Sequence, residues 1–181
     1  MQPIFTIQQI NALATPDDLP ALSELLIDCV AGGASVSFMQ PLAPAKADAF
    51  WLAVISSAAA AQRVLLVARN PAGHIVGSVQ VITSQPENQP HRADISKLLV
   101  HRSARCQGIA AALMDAADVA ARAAGKSLLV LDTATGGGAE SLYQRLGWIQ
   151  CGMIPDYALW PQGGLCSTTL FYKALSAGVS V

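Results

Sequence analysis

The stretch from Ala93 to Asp132 constrains this chain more than any other. A predicted strand, Ala93–Val100, passes through Arg105-Cys106-Gln107-Gly108 into a helical pattern, Gly108–Ala124. An apolar run, Ser127–Asp132, follows. Ile109, Leu113, Ala116, Ala117 and Ala120 recur at helical spacing and define one apolar face, and Gly125 is placed to stop the helix. Strand, helix and strand in this order form a right-handed crossover whose strands lie parallel and side by side. Ser127–Asp132 is apolar almost throughout, as expected of a strand covered on both faces.

The rest of the chain supplies antiparallel partners. Ile4–Ile10 predicts a first strand. Thr15-Pro16-Asp17-Asp18 predicts a helix start, with a capping hydroxyl, an early proline and acids in the first turn. Leu22, Leu25, Leu26 and Cys29 then form one stripe, which Gly32-Gly33 ends. A second helix is expected over Pro44–Ala61, with Asp48, Trp51, Leu52 and Ile55 along one side and the apolar members facing the core. Val64–Ala68 and Ile75–Thr83, joined by the turn Pro71-Ala72-Gly73-His74, predict an antiparallel hairpin. A short helix is expected over Gly138–Leu146, and late strands near Trp148–Gly152 and Ser167–Lys173 leave Ile154–Gly164 as a loop. The 181 residues suit one domain, 1–181, built on a mixed α/β sheet with antiparallel strands first and one parallel step.

Composition excludes several classes of function. Apolar residues make up 52% of the chain and charged residues 13%, which opposes disorder. The formal net charge is -1, so no nucleic-acid or membrane partner is expected, although His101, Arg102 and Arg105 form a local basic cluster. Cys29, Cys106, Cys151 and Cys166 form no CxxC pair, and His74, His91 and His101 show no ligand spacing, so no metal is expected. Reduced thiols and the lack of a leader pattern point to a cytoplasmic protein. The apolar stretch Phe50–Ala61 ends at Gln62-Arg63, short of the roughly 20 residues that span a bilayer.

The turn ahead of Ile109 carries the chemistry. Gly108 lets backbone approach a ligand closely, and the free N–H groups at a helix start favour an anion such as pyrophosphate. Arg105 adds a charge-assisted contact, and the small Ala110 keeps the first turn thin. The same six residues also fit an ordinary strand-to-helix turn. Neither a Rossmann nor a P-loop pattern is present, since the extra glycines and the terminal Lys-Ser/Thr are missing.

Arg105, Gly108 and Ala110 directly after a strand, together with Ala139-Glu140-Ser141-Leu142-Tyr143 and Gly147-Trp148, resemble the two signature elements of the GNAT acetyltransferase superfamily. Gly32–Met39, Arg92–Val100, Leu131-Asp132-Thr133 and Ser167–Lys173 also look like segments of the tabtoxin-resistance acetyltransferases, a likeness running from about Leu22 to Leu175. The resemblance implies an α/β (α+β) GNAT fold: a mixed, mostly antiparallel sheet with a splayed parallel strand pair flanked by helices. It implies acetyl-CoA as the acetyl donor, CoA as product and no metal. It also implies N-acetylation of a small-molecule primary amine, an amino-acid-like toxin or antibiotic among the candidates, by direct attack in a ternary complex. A non-catalytic acyl-CoA-binding module on the same fold is the alternative, and a homodimer is among the states the resemblance allows.

Donor binding is then expected at Leu98, Leu99 and Val100, whose backbone would pair with the pantetheine arm. It is also expected at Arg105, Cys106, Gln107, Gly108, Ile109 and Ala110 around the pyrophosphate, and at Tyr143. Asp94 is the first candidate for the base, acting directly or through water, and by strand alternation it shares a face with Ser96 and Leu98. Asp132 is the second candidate, and Tyr143 either protonates the departing thiolate or packs in the core. The amide of Leu99 or Val100 is the expected oxyanion donor. Asp94 and Ala110 stand where the superfamily often has Glu and Gly, and Cys106 where Arg or Gly is usual. Ser35, Phe38 and Met39 on one loop, with Asp156, Tyr157 and Trp160 on another, are expected to shape the acceptor site.

Overall fold

The computed structural model describes residues 4–11 and 16–175. Seven strands form one sheet in the order β1-β2-β3-β4-β5-β7-β6. They are β1 (Thr6–Ile10), β2 (Arg63–Arg69), β3 (Ile75–Ile82), β4 (Arg92–Val100), β5 (Leu128–Ala134), β6 (Ile149–Leu159) and β7 (Leu165–Ala174). The helices are α1 (Asp18–Ala31), α2 (Pro44–Ala59), α3 (Ile109–Ala123) and α4 (Ala139–Arg145). Only β4 and β5 pair in parallel, as the crossover requires, and every other neighbouring pair is antiparallel. The capping hydroxyl expected at Thr15 lies outside the described residues. No helix among the described residues is long and apolar enough to cross a membrane.

Helices cover both faces of the sheet. Leu22, Leu25 and Leu26 of α1 and Trp51 and Ile55 of α2 pack with Leu65, Val67 and Leu99. On the opposite face Ile109, Leu113, Met114 and Ala117 of α3 pack with Leu66, Ala68, Val79, Val81, Ala93 and Ile95, and Tyr143 of α4 joins them. Adjacent residues of β2 thus enter different cores, which explains its unbroken apolar run. Leu52 departs from the expected stripe. With Trp51 turned fully inward, its successor sits about 100° round the helix and is exposed.

Two irregularities shape the middle of the sheet. Asp94↔Val130 is the last of the three β4–β5 pairs, so the strands part beyond it. In β4, Gln80 pairs with Ser96 and Ser78 with Leu99, so Lys97 and Leu98 together oppose Val79 as a β-bulge. Lys97 adopts φ 51°, and the buried Ser78 hydroxyl donates to its carbonyl at 3.2 Å. The extra residue reverses the alternation of side chains. Ala93 and Ile95 face α3, whereas Leu99 faces α1 and α2, and Leu98 lies with Val100 on the α3 side. The face that regular alternation would give Asp94 and Leu98 in common is therefore divided.

The late strands also differ from expectation. β6 runs on to Leu159 through most of the segment expected as a loop. It does so by bulging between Ile154 and Ala158, where Asp156 takes φ 54°. Its residues are exposed almost throughout, as an edge strand permits, and Pro155 is compatible with such an edge.

Close packing seats α3. A β-carbon on Gly77 of β3 would lie 3.0 Å from Ile109 Cγ2, 3.0 Å from the Leu99 carbonyl oxygen and 3.1 Å from Leu113 Cδ1. Only a residue without that atom lets the first turns of α3 rest directly on β3 and β4. Gly77→Ala is expected to cost about 1–3 kcal/mol through overpacking, read as a lower urea midpoint with an unchanged slope.

Candidate active site

The cleft opens where β4 and β5 part. It has a volume of about 470 Å³ and is bounded by Ile95, Ser96, Lys97 and Leu98 of β4 and Leu131, Asp132 and Thr133 of β5. The loop after α1 closes one side with Gly33, Ser35 and Ser37, while Tyr143, Arg105 and Trp160 reach in from other elements. A second cavity of about 300 Å³ adjoins it and shares Ser35, Ser37, Asp132, Thr133 and Ala134 with it. Phe38, Met39, Tyr157 and Thr168 line this second cavity. The space is therefore bipartite, with Asp132 at the junction.

The turn before α3 has the conformation an anion site needs. Cys106 and Gly108 both take positive φ, 61° and 80°, and nothing lies within 4 Å of where a Gly108 β-carbon would be. Among the described residues, no protein group accepts from the amides of Cys106 to Ala110, so these donors remain free at the positive end of α3. The basic cluster divides there. His101 Nε2 lies 3.0 Å from Glu24, and Arg102 Nε donates to Asp28 at 2.8 Å. Burial alone would raise the Asp28 pKa, but the amide and guanidinium of Arg102 and the nearby His101 hold it below its ordinary value. Arg105, by contrast, lines the cleft and donates to the Val100 carbonyl at 3.4 Å.

The two candidate carboxylates are placed differently. Asp132 lines both cavities and accepts from the Thr168 hydroxyl at 2.9 Å. Asp94 lines neither. Its Oδ2 accepts from Gln85 Nε2 at 3.2 Å and lies 3.5 Å from Arg92 Nη2, on a strand still paired to Ile82 and Val130. Of the expected acceptor-site residues, Ser35, Phe38, Met39, Tyr157 and Trp160 line the cavities, and the exposed Asp156 does not. Of the expected donor-site residues, Leu98, Arg105 and Tyr143 line the cleft. Leu99 is buried on the far face, and the Val100 carbonyl is taken by Cys29 Sγ and Arg105. Sequence reasoning missed Lys97 and Thr168. The one available signal was a break in alternation: Ala93, Asp94, Ile95 and Ser96 alternate, and Lys97 falls where an apolar residue is due.

Among the described residues no group of three or more His, Cys, Asp or Glu could hold a metal ion, and all four cysteines are free.

A model of the GNAT acetyltransferase domain matches residues 61–150. An uncharacterized N-acetyltransferase from the hisH-hisA intergenic region of Azospirillum brasilense is 33% identical over 129 residues, covering 70% of this chain and 74% of that protein. The chain belongs to the GNAT acetyltransferases. Solved structures agree on the fold. The protein yncA of Salmonella typhimurium, solved with its cofactor acetyl-CoA, superposes with a TM-score of 0.79 at 18% identity, over 98% of this chain and 97% of that one. A phosphinothricin acetyltransferase from Sinorhizobium meliloti, in complex with acetyl-CoA, gives 0.78 at 18% identity, over 99% and 92%. Family membership carries acetyl-CoA as donor, and the residues fit it. The free amides of Cys106 to Ala110 suit the pyrophosphate, and the β4 edge left unpaired past Asp94 suits an amide-bearing arm.

Tyr143 sits inside this site and remains protonated. It is 6% exposed, with its ring 6.0 Å from Trp148 and 5.7 Å from Phe171. Burial, with Asp132 nearby, pushes its pKa up to about 12 from 10.0. The folded state thus holds this proton more tightly than the unfolded chain. The associated stability is complete below pH 10 and is lost as pH rises from 10 to about 12. Tyr143→Phe keeps the ring and removes the titration. Its unfolding free energy is expected to fall by about 1 kcal/mol less than that of the wild type between pH 8 and pH 11, measured by urea denaturation.

Proposed function

We propose that the protein is an N-acetyltransferase that moves an acetyl group from acetyl-CoA to a primary amine of a small molecule, both bound at once, and that it acts in the cytoplasm. The observation that carries this reading is the bipartite cavity. One chamber runs between the parted strands toward the free amides of the α3 turn, and the other, behind Ser37 and Tyr157, has room for an acceptor. The donor supplies an activated thioester carbonyl. An amine must lose a proton before or during attack, and a carboxylate at the junction is placed to take it, directly or through a water. Asp132 occupies that junction, with Thr168 fixing one of its oxygens. Tyr143 Oη holds a proton on the cleft wall at every working pH, as a group that protonates a leaving thiolate must.

Asp94 takes a positioning role in this reading. Its carboxylate links Gln85 and Arg92 at the last point where β4 and β5 are still paired. The likeness to the tabtoxin-resistance acetyltransferases fits an amino-acid-like acceptor and belongs to the same proposal.

Free CoA thiol, followed with acetyl-CoA and a panel of primary amines, tests the reading. Release is expected with at least one amine. Asp132→Asn is expected to lower kcat/KM by about 100-fold or more and Asp94→Asn by less than about tenfold. No thiol release with any amine, alongside normal heat on CoA titration, would leave a binding module in place of an enzyme.

A further inference from the structure

Lys97 has an unusual set of surroundings for a strand lysine. The bulge in β4 turns it into the cleft rather than toward solvent. Its backbone is held at φ 51° with the carbonyl fixed by buried Ser78. Its ammonium donates to the Ser37 hydroxyl at 3.2 Å and lies 5.8 Å from the centre of the Phe50 ring. Among the described residues, no carboxylate comes within ion-pair distance of it.

Asp132 stands on the other wall of the same cleft, and no cation among the described residues pairs with it. Two opposite charges therefore line one space, each hydrogen-bonded by a hydroxyl and neither neutralised by the other. Burial holds the Lys97 pKa below the ordinary lysine value, with Arg63 acting in the same direction and Asp132 opposing. A lysine so placed gains from an anion that enters the cleft.

We infer that Lys97 and the Ser37 hydroxyl hold the carboxylate of an amino-acid acceptor and so select for it, while the acceptor's amine is turned toward Asp132. This deepens the proposed acetyl transfer and rests on it. Lys97 is a specificity residue here, matched to the acceptor by charge and touching no proton that the reaction moves. Ser37 lines both chambers, so the anchor lies where acceptor and donor spaces meet.

The experiment compares acceptors that differ only in the carboxylate. Alanine, glutamate, lysine and phenylalanine are each offered as the free acid and as the α-carboxamide, with acetyl-CoA and thiol detection. The amide's amine is the more readily deprotonated of each pair, so preference for the acid cannot arise from amine basicity. For the best-served amino acid, kcat/KM is expected to favour the acid by about ten- to hundredfold, as one charge-assisted contact provides. In Lys97→Met that ratio falls toward one, chiefly through a higher KM for the acid, and Lys97→Arg restores most of it. Calorimetric titration of each variant with CoA reports folding and donor binding separately. Amides served as well as acids by the wild type would overturn the inference. So would an equal fall for acid and amide in Lys97→Met, which would place Lys97 in proton transfer. Turnover of other amines with none of these eight overturns this inference alone, whereas no turnover of any amine overturns the acetyl-transfer reading beneath it.

Discussion

The site depends on the early parting of two parallel strands. β4 and β5 share three residue pairs and then diverge, while each keeps its outer partner, β3 to Val100 and β7 to Ala134. Each strand is thereby held at one edge and left open at the other. Open backbone edges inside a protein need partners, and a ligand rich in amides can supply them. The bulge at Lys97 contributes to the divergence, because an extra residue bends a strand and increases its local twist. The bulge also brings a charged side chain and a displaced backbone into the gap it helps to open.

Electrostatic contacts then set the walls of that gap. Arg102 and His101 follow β4 directly, and both are engaged by Asp28 and Glu24 of α1. The loop that leaves α1 is the one that carries Ser35 and Ser37 to the cleft, so this ion network ties that loop to the turn before α3. Gly32 lies under the Arg102 side chain, where a β-carbon would come within 2.9 Å of Cδ. Of the three basic residues after β4, only Arg105 is left to face the cleft. A cluster that reads in sequence as one basic patch is in space a clamp and a single cleft-facing charge.

Most of the scaffold was legible because burial imposes period on sequence. Leu22, Leu25, Leu26 and Cys29 announce α1, and the double-sided burial of β2 shows as an unbroken apolar run. The crossover and the turn before Ile109 were legible from residue order and one glycine. What escaped has a physical reason in each case. β6 past Gly152 is exposed on both faces and contains Pro155, so neither alternation nor propensity marks it as strand. Trp51 and Leu52 are equally apolar, and only the packing decides which one the core accepts. Alternation puts Asp94 on one face with Ser96 and Leu98, whereas the bulge redirects the second half of β4 and places Leu98 on the other face. No glycine or proline betrays that bulge, since the left-handed backbone falls on a lysine.

A strand interrupted in this way carries two registers in one short segment. Residues up to Ser96 obey one odd–even assignment to the two cores, and residues from Leu98 obey the other. Exchanging one side chain for another within Ser96–Leu98 leaves both assignments intact. Removing Lys97 would restore regular alternation with Leu99 still in its present layer, and would take away the bulge that turns a charge into the cleft. The extra residue therefore serves the cleft and not the cores, which the same side chains would fill without it.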